Sequence, residues 1–394
     1  MKALKNIRVI DLTQVMAGPY CSMLLADMGA DVIKVEPPGK GENTRQMGPP
    51  FVNGESGAFL SVNRNKRGMT INLKTEEGKK LFHKLAITAD VVVENYRPGV
   101  VRRLGIDYET LREINPRIVY CSISGFGQTG PYSNRGGYDL IAQGMTGIMS
   151  VTGERSGNPV KCGLPITDLG AGMFACYGIL TALLAREHTA KGQYVDTSLF
   201  EAGIAMSVWE STEYWYSGQI PQPTGSGHRI SSPYQAFKAS DGYFTVGADA
   251  PHHWPKFCEI IGLPSLPDDE RFIDGTVRLK NLFDLIFLVE EQTKSQTRSY
   301  WMEKFEDAGI PAGPIQTYAE SLSDEHTLSR KMVTNLEHPI AGSIKALGIP
   351  VKLSETPGEI KSPAPLLGEH TEEILQELGF ENEEIMQMRQ NGIA

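Results

Sequence analysis

Strand-like and helix-like segments alternate through the first half of the sequence, and this alternation constrains the fold more than any other feature. Short apolar runs typical of buried strands occur at residues 7–11, 31–36, 89–96, 117–124 and 193–199. Residues 74–89 have the spacing of an amphipathic helix. We therefore predict an α/β fold with a large, Rossmann-like, mostly parallel sheet covered on both faces. Ligands of such sheets bind beyond the carboxyl ends of the strands.

The sequence changes character near residue 200. Residues 1–200 are predicted to form the N-terminal part of the large domain, and residues 201–230, aromatic and then rich in Pro, Gly and Gln, a linker. Short strands and helices in residues 231–325 predict a smaller α+β domain. Residues 326–394 are interpreted as a return linker followed by acidic helices that complete the large domain.

Composition excludes several classes of function. A net charge of −9 gives no support to binding of nucleic acid or an anionic membrane surface. No run approaches the ~20 uncharged apolar residues of a membrane helix, and no signal peptide is recognisable. Five scattered cysteines form no CxxC pair, which favours a reducing, cytoplasmic location. Eight histidines show no metal-binding spacing, so we expect no metal site.

Residues 125–130, GFGQTG, match the GxGxxG pattern of dinucleotide-binding loops and follow a predicted strand. That mechanism also needs a helix whose N-terminus faces the pyrophosphate. The next residues, PYSNRGG, do not favour the start of a helix. The sequence therefore argues against a nicotinamide- or flavin-binding enzyme.

Asp168 is the one charged residue in residues 163–180. It is placed to cap an apolar helix, since an Asp side chain accepts from the free N–H groups of a first helical turn. The same N–H groups and the helix dipole favour the ionised carboxylate, which can act as a covalent nucleophile. Gly170 and Gly172 each cost roughly 1 kcal/mol of helix stability, which makes sense if something large approaches closely. Both interpretations remain open on these residues alone.

Several motifs occur in a fixed order and together resemble one family. They are DLTQVMAGPYCSMLLADMGADVIKVEPPG, SVNRNKRGMTINLKTEEG, DVVVENYRPG, YCSISGFGQTGP and the Asp168 segment, followed by PYQAFKASDGYF, GIPAGPI and PAPLLGEHTEEIL. This set resembles the class III CoA-transferases, which include formyl-CoA and carnitine CoA-transferases and 2-methylacyl-CoA racemases. The resemblance covers nearly the whole chain. It implies ring-shaped subunits, with the large domain built from both chain ends, that interlock as a homodimer.

The resemblance implies that Asp168 is the nucleophile. It would attack an acyl-CoA thioester and pass through a mixed anhydride and an aspartyl-CoA thioester. Acyl-CoA and a carboxylic acid would be substrates, with no permanently bound cofactor. The implied CoA-binding residues are Gln14, Val15, Met16, Ala17, Ile71, Asn72, Leu73, Lys74, Asn95, Tyr96, Arg97, Arg103, Leu104, Arg135 and Tyr138. Backbone N–H groups of residues 14–17 can also serve the thioester oxyanion.

A second group of residues is implied to support the active site: Met47, Asp139, Gly225, Gly227 and His228. The segment 224–229 resembles a glycine-bearing loop that covers the active site in some members, although a flexible linker has the same composition. Asp139 can alternatively cap the next helix. The resemblance implies that Arg97 and Arg103 form a phosphate clamp. Without the resemblance, both arginines are interpreted as ordinary solvated surface residues.

Tyr138 bears on the choice between transferase and racemase. Racemases of the family carry His at this position as a proton-transfer base, whereas Tyr, with a pKa of about 10, is a poor base at neutral pH. The alternative to a role in the active site is that Tyr138 is an aromatic residue of the core. Met47 stands where oxalate-specific relatives carry Trp, which leaves room for a larger acceptor. The sequence thus favours a transferase of the succinyl-CoA–dicarboxylate branch, which includes succinate–hydroxymethylglutarate CoA-transferase; the alternatives are a racemase or a CoA-binding protein without turnover.

Overall fold

A computed structural model describes residues 2–394, and the chain divides into two compact units. The first unit consists of residues 2–148, Lys161–Ser217 and Glu325–Ala394, and therefore contains both ends of the described chain. The second unit consists of Met149–Val160 and Gly218–Asp324.

The strands, in chain order, are β1 (Arg8–Asp11), β2 (Asp31–Glu36), β3 (Phe51–Val52), β4 (Glu55–Ser56), β5 (Lys66–Thr70), β6 (Val91–Glu94), β7 (Val119–Ser124), β8 (Tyr194–Ser198), β9 (Tyr234–Ala239), β10 (Gly242–Gly247), β11 (Ala312–Pro314), β12 (Val333–His338) and β13 (Gly342–Leu347). The α-helices are α1 (Ala17–Asp27), α2 (Gly57–Val62), α3 (Glu76–Ile87), α4 (Val100–Leu104), α5 (Tyr108–Ile114), α6 (Asp139–Met145), α7 (Ile148–Val151), α8 (Ile166–Thr189), α9 (Leu199–Met206), α10 (Val208–Ser217), α11 (Trp254–Ile260), α12 (Gly275–Lys280), α13 (Leu282–Thr293), α14 (Arg298–Asp307), α15 (Tyr318–Ser321), α16 (Glu325–Ser329), α17 (Thr371–Glu377) and α18 (Asn382–Gln390).

The first unit contains a six-stranded, wholly parallel sheet in the order β5–β2–β1–β6–β7–β8. The predicted α/β fold with a large parallel sheet is confirmed. From β1 the chain builds outward on one side through β2 to β5, and then returns to build the other side from β6 to β8. The order therefore reverses between β1 and β6, which is where open parallel sheets bind their ligands.

Apolar side chains of successive strand residues alternate between the two faces of this sheet. Val9 belongs to a core shared with helices α1, α8 and α9, whereas its neighbour Ile10 belongs to a core shared with α3, α5 and α17. Both side chains are fully buried. The sheet is thus covered on both faces, as the alternation of elements predicts.

Helix α8 is long and apolar enough, by length and composition, to cross a membrane, contrary to the prediction that no run of residues approaches a membrane helix. One such helix is weak evidence, because a core helix of a globular protein has the same composition. Here the helix packs against α1, α9, β7 and β8. Ala171, Ala175 and Ile179 are fully buried in that core. These contacts account for the apolar side chains on the buried face of the helix.

The second unit is built on a three-stranded antiparallel sheet in the order β11–β10–β9. Phe237, Phe244, Phe257 and Phe305 are fully buried at its centre, with ring centroids 5.6 to 6.3 Å apart. Helices α11 to α14 belong to the same unit as this sheet.

One element differs from the sequence prediction. Residues 201–217, assigned to a linker, continue helix α9 and form helix α10. The run VWESTEYWYS contains neither Gly nor Pro, so its backbone is free to form the hydrogen bonds of a helix until Gly218. The irregular segment begins only there.

Candidate active site

Two loops meet at the point where the strand order reverses. One follows β1 and leads into α1, and the other follows β6. The side chain of Asn95 joins them: its Oδ1 accepts the N–H of Gln14 at 2.8 Å, and its Nδ2 donates to the carbonyl of Gln14 at 2.7 Å. A single amide side chain therefore fixes the relative position of both loops.

Two adjoining cavities of about 300 and about 630 Å³ open beside these loops, and Gln14 and Tyr96 line both. Predicted residues that line the smaller cavity are Gln14, Val15, Met16, Ala17, Asn95, Tyr96, Arg97, Arg135, Tyr138 and Asp168. Predicted residues that line the larger cavity are Gln14, Ile71, Asn72, Leu73, Lys74, Tyr96, Arg103 and Leu104. Residues far apart in sequence are thus brought into one continuous region.

The second predicted group is divided between the two units. Met47 lies in the first unit and is 45% exposed, but it lines neither cavity. Gly225, Gly227 and His228 belong to the second unit. Asp139 does not line the cavities either; its carboxylate is bonded at the start of helix α8.

The cavities are also lined by residues that the sequence does not predict. The smaller one is lined in addition by Asn43, Pro98, Ile123, Ser124, Gly125, Gly136, Gly137 and Leu199. The larger one is lined in addition by Val35, Glu36, Pro37, Pro38, Val100 and Gly392. Most follow the carboxyl end of a parallel strand, which is the one sequence signal that points to them.

Asp168 is the third residue of helix α8 and not its N-cap, because the helix begins at Ile166 with Pro165 at the cap position. Within residues 2–394 its carboxylate has no hydrogen-bond partner. Burial, and to a smaller extent the nearby carboxylate of Asp139, raise the pKa of Asp168 to about 7. The expectations that this side chain caps the helix and is held ionised by its N–H groups are therefore wrong.

Asp139 supplies the missing cap. Its Oδ1 accepts the backbone N–H of Thr167 at 3.0 Å and the Thr167 hydroxyl at 2.8 Å. Its Oδ2 accepts from the side chain of Gln143 at 2.7 Å. Asp139 is the first residue of α6, so it does not cap its own helix; Tyr138 holds that position and is 70% exposed, not part of the core.

Two glycines serve close packing of the chain on itself. A Cβ atom on Gly172 would lie 2.7 Å from the carbonyl oxygen of Ala17, so its absence lets helix α8 approach the start of α1. A Cβ atom on Gly125, the first glycine of GFGQTG, would lie 2.6 Å from the Cα of Gly137. The sequence GFGQTG thus brings two segments of the cavity wall together, and turns rather than a helix follow it, as predicted.

Four basic side chains line the cavities without an acidic partner. Lys74, Arg97, Arg103 and Arg135 have no carboxylate at ion-pair distance in the described chain, and Arg135 stacks on Tyr132 at 3.9 Å. In a chain of net charge −9, unpaired cations concentrated at one site create a local attraction for anions. Phosphate groups match this chemistry. The described residues contain no cluster of three or more His, Cys, Asp or Glu that could hold a metal ion.

The backbone of the loop after β1 is only partly available to a ligand. The N–H of Gln14 is already bonded, and that of Val15 donates to Glu42 Oε2 at 3.0 Å. These two groups therefore do not serve an oxyanion, contrary to the expectation for the whole loop. The N–H groups of Met16 and Ala17, at the start of α1, have no acceptor within residues 2–394. They are therefore available as donors in the cavity that Asp168 also lines.

Comparison with known proteins agrees with this geometry. The profile of CoA-transferase family III matches residues 4–371. Succinyl-CoA:glutarate CoA-transferase of Mus musculus is 41% identical over 96% of this chain and 87% of the mouse protein. Succinyl-CoA:mesaconate CoA-transferase of Haloarcula hispanica is 41% identical over 96% of this chain and 97% of its own length. A CAIB/BAIF family protein from Brucella suis superimposes with a TM-score of 0.88 at 38% identity, covering 96% of this chain and 99% of that structure. The chain belongs to the family III CoA-transferases.

Proposed function

We propose that this enzyme moves CoA from succinyl-CoA, or a similar acyl-CoA, to a dicarboxylic acid, with Asp168 as the covalent nucleophile. The observation that carries the proposal is the position of Asp168 in a cavity wall with the free N–H groups of Met16 and Ala17. The adjoining larger cavity carries Lys74 and Arg103, which suit the phosphates of CoA. The names of the similar mouse and archaeal proteins support succinyl-CoA as donor and a dicarboxylate as acceptor.

The reaction proceeds by exchange between carboxyl groups. The Asp168 carboxylate attacks the thioester carbonyl, the C–S bond breaks, and CoA leaves as a thiolate from a mixed acyl–aspartyl anhydride. The thiolate then attacks the aspartyl carbonyl, which releases the first acid and leaves an aspartyl-CoA thioester. The acceptor carboxylate displaces CoA to form a second anhydride. CoA thiolate finally attacks the acceptor's carbonyl, and Asp168 is regenerated as a carboxylate.

The environment of Asp168 suits this role. A carboxylate with a pKa near 7 is a stronger nucleophile than an ordinary one, and about half of it is ionised at neutral pH. The Met16 and Ala17 N–H groups are available to the oxyanion that develops on the thioester carbonyl. Both anhydrides hydrolyse readily, so exclusion of water during turnover is required. We propose that the glycine-bearing segment 224–229 covers the active site during turnover.

The identity of residue 138 favours CoA transfer over racemisation. A 2-methylacyl-CoA racemase needs a base close to the α-carbon, and this chain has a tyrosine where such a base is expected. Met47, in place of a bulky tryptophan, is consistent with an acceptor larger than oxalate.

We also propose that the enzyme is a homodimer of interlocked subunits. Helix α8 carries exposed apolar side chains at Met173, Tyr177, Leu180 and Leu184, which lie on one face of the helix. Their exposed fractions are 47, 69, 40 and 67%. A continuous apolar helix face of this kind is typical of a buried subunit contact.

We further propose a cytoplasmic location, because five free cysteines agree with a reducing compartment.

One experiment tests the reaction and its nucleophile. Purified enzyme is incubated with acetyl-, formyl- or succinyl-CoA and a panel of carboxylic acids, and acyl-CoA products are identified by mass spectrometry. We expect transfer to dicarboxylates. Asp168→Asn should lose turnover by orders of magnitude while retaining CoA binding. The control is Asp284→Asn, which replaces an exposed acid of the second unit and should retain turnover. Hydroxylamine should trap the intermediate as a mass shift on Asp168.

Two results would contradict the proposal. Activity of Asp168→Asn within a few-fold of wild type would exclude covalent catalysis by this residue. Exchange of the α-proton of a 2-methylacyl-CoA in deuterated water, without acyl exchange, would establish a racemase instead.

A further inference from the structure

Val15, in the loop after β1, has a backbone conformation that its side chain disfavours. Its φ angle is +69°, in the left-handed region, and it is β-branched. Such a conformation costs roughly 1–2 kcal/mol and persists only where surrounding contacts impose it. The two residues that follow, Met16 and Ala17, carry the free N–H groups of the cavity wall. The direction of those donors therefore depends on what holds Val15.

The contact that holds Val15 is a buried carboxylate. Glu42 Oε2 accepts the Val15 N–H at 3.0 Å, although the two residues are 27 positions apart. Glu42 is 3% exposed, and it also accepts from the N–H of Thr44. Burial disfavours its ionised form, but Lys34 and these hydrogen bonds outweigh that effect and lower the pKa of Glu42.

Lys34 connects this carboxylate to the same loop. Its side chain is fully buried, and its ammonium group lies 3.3 Å from Glu42 Oε1 and donates to the carbonyl of Thr13 at 2.8 Å. Thr13 is held a second time by Asp11, which accepts its N–H at 2.8 Å. The loop is thus fixed by buried charges at Thr13 and at Val15, on either side of Gln14.

The segment that carries Glu42 is itself anchored. The N–H of Glu42 donates to Glu36 Oε2 at 3.0 Å, and Glu36 forms a two-pronged ion pair with Arg45 at 2.6 and 2.7 Å. Glu42 consequently has little freedom to follow a moving loop. A rigid acceptor at this position is suited to imposing a strained conformation rather than adapting to it.

We propose that Glu42, held by Lys34, is a positioning residue that keeps Val15 left-handed and thereby aims the N–H groups of Met16 and Ala17 at the reacting thioester carbonyl. This inference rests on the proposed transfer reaction. Loss of the Glu42 contact would then slow the chemical step more than it weakens CoA binding, because preorganised donors act mainly on the charge that develops in the transition state.

A matched pair of variants tests the acceptor. Glu42→Gln keeps a carbonyl oxygen for Val15, whereas Glu42→Met has a similar length and no such acceptor. We expect Glu42→Met to lower kcat about 10- to 100-fold with KM for succinyl-CoA changed less than about threefold. Glu42→Gln should retain most of the activity. If Glu42→Met does not fold, the double variant Lys34→Met/Glu42→Met is measured instead, because it removes both charges from the same buried site.

A second substitution separates positioning from a general structural role. Glycine adopts the left-handed region without strain. Val15→Gly, added to Glu42→Met, should therefore raise kcat about fivefold or more above that of Glu42→Met, which is a more favourable change than the same substitution causes in the wild-type background. The same fold-change in both backgrounds, or an unchanged kcat in Glu42→Met, would overturn the proposal.

Hydrogen exchange provides a readout that needs no substrate. The hydrogen-bonded amides of Thr13, Gln14 and Val15 should exchange faster in Glu42→Met than in wild type, and equal exchange would overturn the proposal even if the reaction were a different one. Absence of CoA transfer by the wild-type enzyme would instead contradict the proposed function, so the two failures are distinguishable.

Discussion

The side chain of Asp139 caps the helix that carries Asp168. Its Oδ1 accepts the N–H of Thr167 at 3.0 Å, one residue before the proposed nucleophile, so the carboxylate that orients the helix also lies close enough to act on the charge of its neighbour. Two acids in one partly buried site resist simultaneous ionisation. The arrangement links the position of Asp168 to its pKa.

This link predicts a pH dependence. Because Asp168 must be ionised to attack and burial with Asp139 raises its pKa to about 7, kcat/KM should fall about tenfold per pH unit on the acid side of pH 7. Asp139→Asn keeps an oxygen for Thr167 but removes the negative charge, so the acid limb should move to lower pH. Asp284→Asn is the control and should leave the limb in place. An acid limb that is the same in Asp139→Asn and wild type would contradict electrostatic coupling.

The same pKa predicts a stability effect. The folded chain holds the Asp168 proton more tightly than the unfolded chain, whose carboxyl has a pKa near 3.8, so the contribution of this group to stability falls as pH rises from about 4 to about 7. Asp168→Asn removes that penalty. Its Tm should exceed that of wild type by about 1–3 °C at pH 8 and by less at pH 5, measured by calorimetry. A Tm below wild type at both values would show that the carboxylate stabilises the fold.

Much of this site follows from the order of elements along the chain. The alternation of strands and helices places the loops after β1 and β6 at the reversal of a parallel sheet, and both loops line the cavities. The contacts that tune the site do not follow, because their partners are distant in sequence. Nothing local in either segment indicates that Asp139 caps Thr167, 28 residues away, or that Glu42 holds Val15. Gly172 is similar: its requirement comes from the carbonyl of Ala17 on another helix.

The unpaired cations predict how CoA is held. Arg103 lines the larger cavity and has no acidic partner in the described residues, so it is free to bind a phosphate of CoA. Arg103→Gln should raise KM for acyl-CoA about tenfold with kcat little changed, and the remaining affinity should depend less on salt. Arg112→Gln is the matched control, since Arg112 is exposed and paired with Glu109 on the next helix. Equal KM values for the two variants would place the phosphates elsewhere.

The apolar face of helix α8 predicts the oligomeric state. Tyr177 and Leu184, 69 and 67% exposed, lie two turns apart on that face, and burial of both against a second subunit would stabilise the assembly by a few kcal/mol at roughly 25 cal/mol per Å². In an interlocked dimer the subunits cannot separate without unfolding, so light scattering should detect a dimer and no folded monomer at the lowest measurable concentration.

Leu184→Glu should lower Tm and the yield of folded protein rather than release a stable monomer. Phe283→Glu, a substitution at an exposed aromatic of the second unit, should do neither. A monomer that is folded and active, from wild type or from Leu184→Glu, would contradict interlocking and would leave the exposed face of α8 to a different partner.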